Sequence, residues 1–342
     1  MQIQNPNILQ QLIAHQHELM LVKDFFDLKQ LLKISANELE SHINQPIYYT
    51  FEIPKKKGRT RSIQAPNPIL RDIQKQLNYY LQAVYLLVKP AEVHGFIIKP
   101  KGFELNHSII SNANAHVNKK HLLNIDLQDF FPSISAKRVK EILVKHLKIE
   151  NSDIASAIAL LCTYKKVLPT GAPTSPVLAN FACMEMDEEL IRFCSLCNIT
   201  YTRYADDLSF SSNQYFTSDV VKAIRTIIIK YQFKVNEKKF RLSSSKSKQS
   251  VTGITVNKKL NVDRTYIRNI RATLHHIQKE GLVAATKKHF STRDTADDKQ
   301  PDLMLKLKGQ INFVGQVRGK DDEIYLKLLN IYHYNFLLIA IS

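Results

Sequence analysis

Three aspartates have the type and setting to do chemistry. Asp206 and Asp207 are adjacent in Tyr204-Ala205-Asp206-Asp207, and Asp126 ends the apolar run Leu122-Leu123-Asn124-Ile125. Adjacent carboxylates repel one another and favour protonation unless a cation sits between them. Mg²⁺ suits such a place, because it seeks oxygen and accepts one or two protein carboxylates beside substrate phosphates. An Asp-Asp pair also serves simply to solvate a hairpin turn, and four residues alone do not separate the two readings. Asp129, three residues beyond Asp126, ranks below it because it reads equally well as a turn or cap residue.

The elements that must position these acids follow from period and composition. Both flanks of the Asp-Asp pair, Ile199 to Arg203 and Leu208 to Ser211, are rich in β-branched and aromatic residues around a small, acidic centre. That pattern predicts strand, tight turn, strand. Side chains on a straight strand alternate between faces, so neighbouring carboxylates can share a task only where the backbone bends. A strand over 122–126 brings Asp126 to its end, where an acid is placed to face a cleft. Ser135 caps a helix to about His146, and further helices are predicted over 152–162, 177–197 and 218–231.

Several stretches around this centre carry charge or turn chemistry. Residues 1–45 show helical periodicity, with Ser35 and Glu38 forming a capping box. Tyr48 to Ile53 and Arg59 to Ala65 read as the arms of a hairpin tipped by Lys55, Lys56 and Lys57. Its cations suit phosphate oxygens, but a charged, solvated edge hairpin looks the same. Leu70 to about Val88 reads as a helix. Lys99 to Lys120 is expected to be irregular, with Asn112 and His116 as turn residues. Leu168 to Asn180, with Gly171 and three prolines, makes a fixed turn before a helix whose bare backbone suits contact with a base, sugar or phosphate. It also suits plain punctuation before a helix. From Arg264 onward the pattern is helical and basic, including Arg268 and Arg271.

The totals narrow the partner. A 342-residue chain with 44% hydrophobic and 23% charged residues is ordinary for a globular protein, but a net charge of +17 is not. That surplus favours a polyanion, nucleic acid or an anionic membrane surface. No apolar run approaches the ~18 residues of a membrane span, and Met1 to Leu12 lacks the blocks of a signal peptide. A cytoplasmic protein with no membrane partner is expected. Four cysteines, with Cys194 and Cys197 as a lone Cys-x-x-Cys, fit reduced thiols better than a disulfide framework or zinc site.

Taken in order, these stretches resemble a reverse transcriptase, and specifically the retron type. The basic hairpin is similar to fingers motifs 1 and 2, Asn124 to Phe131 to motif A, and Leu168 to Asn180 to motif B. Tyr204-Ala205-Asp206-Asp207 is similar to motif C, Asn236 to Lys239 to motif D, and the Val251 region to motif E. Asn112-Ala113-Asn114-Ala115-His116 resembles the Asn-Ala-x-x-His signature of retron enzymes, and Val251-Thr252-Gly253 their Val-Thr-Gly signature. Thr170 departs from the Gln that many reverse transcriptases carry in motif B.

The resemblance implies an α+β right-hand polymerase with fingers, a palm with an antiparallel sheet, and a helical thumb. It divides the chain into an N-terminal helical segment (1–45), fingers (46–121), a palm (122–257, with a fingers insertion around 135–175) and an RNA-binding thumb (258–342). Asp126, Asp206 and Asp207 are then the metal carboxylates for two Mg²⁺ ions, for which Mn²⁺ is a substitute, with the Leu127 carbonyl completing one shell. Lys57, Arg59, Arg61 and Gly171 are expected at the nucleotide. Phe131 stands at the steric-gate position that crowds a ribose 2′-hydroxyl. Lys239 is the candidate proton donor to pyrophosphate, with Lys238 beside it as the alternative. Asn112, His116, Val251, Thr252, Gly253, Arg268 and Arg271 are expected at RNA or template–primer. The implied substrates are dNTPs and a cognate noncoding RNA, copied from a 2′-hydroxyl primer into branched single-stranded DNA (msDNA). A separate effector protein in anti-phage defence is implied as partner. The competing expectations are a group II intron or diversity-generating reverse transcriptase, and a non-catalytic RNA-binding scaffold on the same fold.

Overall fold

A computed structural model describes residues 6–54, 60–98, 107–290 and 302–341, the last six as backbone only. The elements run α1 (Pro6–Met20), α2 (Phe25–Leu32), α3 (Ala36–Asn44), β1 (Tyr48–Pro54), β2 (Thr60–Pro66), α4 (Pro68–Val88), α5 (Ile109–Asn114) and β3 (His121–Asp126). Then come α6 (Ala136–Lys145), α7 (Ser152–Cys162), α8 (Ser175–Leu196), β4 (Thr200–Tyr204), β5 (Asp207–Ser212) and α9 (Ser218–Lys230). The chain finishes with β6 (Arg241–Ser244), β7 (Ser250–Val251), β8 (Ile254–Thr255), α10 (Arg264–His289), α11 (Leu303–Arg318) and α12 (Glu323–Ile341). The span expected to be irregular before Lys120 contains a short helix, α5. Its polar Ser-Asn-Ala-Asn sequence hid it, because Asn and Ser compete locally with the helical backbone.

Two compact units divide the chain. The first is Met1–Ser108 with His121–Leu242, and the second Ile109–Lys120 with Ser243–Ser342. The first unit holds one large core, from Leu19 through Leu77, Ile125, Ile158, Phe181 and Phe210 to Phe233. Its sheet has the order β4-β5-β3-β6. β3 and β5 are antiparallel from His121↔Ser212 to Asp126↔Asp207, and β4 and β5 from Thr200↔Ser211 to Tyr204↔Asp207. These strands are buried nearly end to end, although β4 and β5 alternate apolar with polar residues in sequence.

Local chemistry sets the helix ends. Ser35 and Glu38 close their capping box, Asn67 caps α4 ahead of Pro68, and Ser135 caps α6. α8 carries buried residues on every face, which identifies it as an interior helix. The β1–β2 hairpin leaves Tyr49, Phe51 and Ile53 exposed, and a lone two-stranded ribbon is marginal in water. Its base is fixed instead: the Tyr48 hydroxyl accepts from Gln74 Nε2 at 2.7 Å, and its ring stacks on Tyr164. Gly171 lies against β2 so closely that a Cβ would sit 2.6 Å from the Gln64 carbonyl oxygen.

In the second unit α10, α11 and α12 pack on one another, burying Ile270, Leu274, Leu307, Ile311, Val314 and Leu328. Gly281, at φ 82°, breaks α10. α5 packs against β7 and β8. All four cysteines are free thiols, and no helix among the described residues is long and apolar enough to cross a membrane.

Candidate active site

The register of the first unit's sheet gathers the three acids. Asp126 is the last residue of β3 and lies opposite Asp207, the first of β5. Asp206 occupies the two-residue turn between β4 and β5, and its carbonyl accepts the Leu127 N–H at 2.9 Å. The acids that are eighty positions apart in sequence thus share one end of one sheet.

The turn is held in an unfavourable shape. Ala205 has φ 58°, a left-handed conformation that costs a non-glycine residue about 1–2 kcal/mol. Arg203 Nη1 donates to the Ala205 carbonyl at 3.1 Å. Arg203 is itself fully buried; its Nε and Nη2 grip Asp187, and Nη1 also reaches the Asn180 side-chain oxygen at 3.0 Å. The Tyr201 hydroxyl adds a 2.6 Å bond to Asp187. From the other side Gly95 presses so close that a Cβ would lie 2.4 Å from the Ala205 nitrogen. None of Arg203, Asp187, Asn180 and Gly95 stands out in the sequence. The available signals were an Arg inside a buried strand and polar residues on an otherwise apolar helix.

Asp126 is braced as well. Asn236 Nδ2 donates to its Oδ1 at 2.9 Å, and the Asn236 N–H donates to its carbonyl at 2.8 Å. The Lys239 ammonium lies 2.5 Å from Oδ2. Arg225, paired with Glu237 and stacked on Phe240, steadies the segment that carries both. Burial pulls the Lys239 ammonium down, but its hydrogen bond to Asp126 and the charges of Asp126, Asp206 and Asp207 outweigh that and raise it.

Among the described residues the electrostatics are those of a site short of positive charge. Burial, and then the neighbouring Asp206 and Asp126 charges, push the Asp207 carboxyl up to about 6. Asp206 is raised by burial and by Asp126, against the pull of Lys239 and Arg61. Among the described residues no three His, Cys, Asp or Glu side chains form a closed metal cage; Asp126 is turned to Asn236 and Lys239. Mg²⁺ does not require a closed cage, because it keeps water and substrate oxygens in its shell. An all-oxygen donor set in which Asp206 and Asp207 are raised fits such an ion.

The remaining candidates fall in three places. Phe131 is half-buried, with its ring 5.9 Å from Phe96 and 5.5 Å from Phe130. Arg61 is exposed on β2, opposite Ile53, and Lys57 and Arg59 lie outside the described residues. In the second unit Asn112 and His116 are fully buried, and among the described residues neither side-chain polar atom of Asn112 has a hydrogen-bond partner. Thr252 (φ 47°) and Gly253 (φ 84°) form the β7–β8 turn, and the Thr252 hydroxyl donates to the Ile109 carbonyl at 3.0 Å. The two signature segments, far apart in sequence, therefore touch. Arg268 and Arg271 are exposed on α10.

Comparison with known proteins matches this arrangement to a family. The sequence profile for reverse transcriptase (RNA-dependent DNA polymerase) covers residues 53–256, more than half of the chain. The retron Ec86 reverse transcriptase of Escherichia coli is 33% identical over 266 residues, which span 75% of this chain and 78% of that one. The chain is a retron-type reverse transcriptase. The retron Mx65 reverse transcriptase of Myxococcus xanthus is 32% identical over 71% of this chain, but the match spans only 59% of that longer protein. The retron Ec73 enzyme of Escherichia coli is 31% identical over 81% of this chain and 84% of its own. As a reverse transcriptase the protein is an RNA-directed DNA polymerase of the right-hand fold.

Proposed function

We propose that this retron-type polymerase copies part of a cognate structured noncoding RNA into branched single-stranded DNA, primed from an RNA 2′-hydroxyl. The reading is supported above all by three carboxylates converging at one sheet end with, among the described residues, too little positive charge around them. Two Mg²⁺ ions, or Mn²⁺ in their place, would be held by Asp126, Asp206 and Asp207 with the Leu127 carbonyl and would offset charge on the attacking and leaving oxygens. The residues themselves prepare that reaction. Asn236 orients Asp126, and Arg203 fixes the turn that aims Asp206 and Asp207. Arg61, with Lys57 or Arg59, neutralises the triphosphate, and Gly171 lines the nucleotide site. Lys239 holds a proton beside the carboxylates and can pass it to departing pyrophosphate. Phe131 crowds a ribose 2′-hydroxyl.

In this reading residues 46–121 act as fingers, 122–257 as palm and 258–342 as thumb. The Thr252–Gly253 turn, backed by the buried Asn112, His116 and Val251, contacts RNA or template–primer, and Arg268 and Arg271 contact the RNA backbone; A-form RNA is recognised through phosphates and 2′-hydroxyls. A separate effector in anti-phage defence is part of this proposal. Phage plating on cells with and without the gene tests that role, and equal plating would count against it.

The decisive experiment purifies the protein with its bound nucleic acid and treats that material with RNase or DNase. The expected product is a single-stranded DNA that keeps a branched RNA stub. Recovery of RNA alone, with no DNA made on adding Mg²⁺ and dNTPs, would refute the proposal.

A further inference from the structure

The segment Glu92–Phe96 runs beside the active-site hairpin and ends on the Phe131 ring. Val93 pairs with Arg203 as a parallel bridge: the Arg203 N–H donates to the Glu92 carbonyl at 3.0 Å, and the His94 N–H to the Arg203 carbonyl at 2.9 Å. Asn180 Nδ2 then fixes the Gly95 carbonyl at 3.0 Å, at the point where Gly95 abuts Ala205. The next residue, Phe96, has φ 60°. A bulky residue there is an outlier, which persists only where its surroundings hold it. Here they do. Gly95 is pinned on one side, and Gln82 Nε2 donates to the Phe96 carbonyl at 3.3 Å on the other.

The outcome of that strained turn is the direction of one ring. Phe96 meets Phe131 at 5.9 Å between centroids, tilted by 31°. Phe130 lies against Phe131 at 5.5 Å and is backed by Phe233. Among the described residues Phe131 is therefore flanked by two rings, of which Phe96 alone belongs to the segment anchored to the turn that carries Asp206 and Asp207. A crowding group discriminates only if it cannot step aside.

We propose that Phe96 is a positioning residue for sugar selection, holding the Phe131 ring where it excludes a ribonucleoside triphosphate and admits a deoxyribonucleoside triphosphate. This rests on the reading of Phe131 as the group that meets the sugar, so that reading is tested alongside it. Single-nucleotide addition on an RNA template, measured as kcat/KM for a dNTP and for the matching rNTP, gives the selectivity of the parent, Phe131→Ala, Phe96→Ala and Phe96→Tyr. Phe131→Ala is expected to lower selectivity about 100-fold, and Phe96→Ala about tenfold, mainly through gained rNTP use. Phe96→Tyr keeps the ring and retains parental selectivity.

If Phe131→Ala relaxes selectivity while Phe96→Ala slows both substrates equally, the inference about Phe96 is wrong and the gate stands. If Phe131→Ala leaves selectivity unchanged, the gate reading falls and takes this inference with it. Should thermal melting show Phe96→Ala unfolded, Phe96→Leu is read by the same ratio.

Discussion

Asp187 and Asp207 both belong to the machinery of one hairpin, yet their charges are handled in opposite ways. Asp187 is fully buried, and its two oxygens receive Arg203 and the Tyr201 hydroxyl. Asp207 stands with Asp206 and Asp126 where, among the described residues, Lys239 and Arg61 counter three carboxylates. The first arrangement is complete in the protein alone. The second is left with unbalanced negative charge among the described residues, which is what the proposed metal ions would offset. Burial of an acid therefore does not mark function here. What separates the two acids is unbalanced charge.

The largest effect expected from that contrast is catalytic. Asp206→Asn with Asp207→Asn should lower DNA synthesis on the order of 10⁴-fold, while the melting temperature stays level or rises because mutual repulsion is removed. Retained synthesis, measured as primer extension with Mg²⁺, would break the contrast from the catalytic side. The same substitution at the paired acid should do the reverse to stability. Asp187→Asn leaves Arg203 buried without its counter-charge, at about 3–5 kcal/mol, or a melting temperature lower by about 10 °C. Replacing both partners, Asp187→Leu with Arg203→Met, should recover part of that loss. An Asp187→Asn protein that melts like its parent would show that the pair is not what holds the hairpin.

The half of this contrast proposed to do chemistry was legible in the sequence; the half that supports it was not. Asp126, Asp206 and Asp207 stand at strand ends and in a turn, where local pattern marks them. Arg203 and Asp187 are sixteen positions apart on different elements, and only the docking of α8 on β4 makes them partners. Asn236 was read as part of a motif, but not as the brace of Asp126, because that contact spans 110 residues. α5 was missed because short polar helices carry no period. The strain at Ala205 and Phe96 is equally invisible in sequence, since neither residue type advertises a left-handed backbone.

A middle-sized effect tests how far the open site depends on its braces. Asn236→Ala removes the bond to Asp126 Oδ1 while leaving the carboxylate and Lys239 in place. The outer partners of metal ligands are worth about 10–100-fold in metal affinity. The Mg²⁺ concentration for half-maximal synthesis should therefore rise about tenfold, with the maximal rate largely recovered at high Mg²⁺. An unchanged Mg²⁺ dependence would mean that Asp126 is oriented by its strand alone.

The smallest effect is a pH dependence of stability, and it sharpens the contrast because two groups pull in opposite directions. His94 lies in the segment beside Arg203. Burial, and then the charge of Lys89, lower its imidazole to about 4, with the His107 ring 5.2 Å away. Its folded value lies below the ordinary one of about 6.5, so the stability of keeping it neutral is fully present above pH 6.5. That stability is lost as pH falls toward 4. Asp207, raised to about 6, does the opposite in the metal-free protein, which gains stability from it as pH falls from 6 toward 4. The two trends mask one another in the parent. Asp206→Asn with Asp207→Asn removes the opposing aspartate trend, and melting between pH 7 and 4.5 should show a steeper acid loss than in the parent. Adding His94→Gln should flatten it by about 1 kcal/mol, a figure discounted for the partial exposure of the ring. Identical acid profiles with and without the two aspartates would mean that their charges are already balanced inside the protein, and the distinction between a finished and an unfinished site would fail.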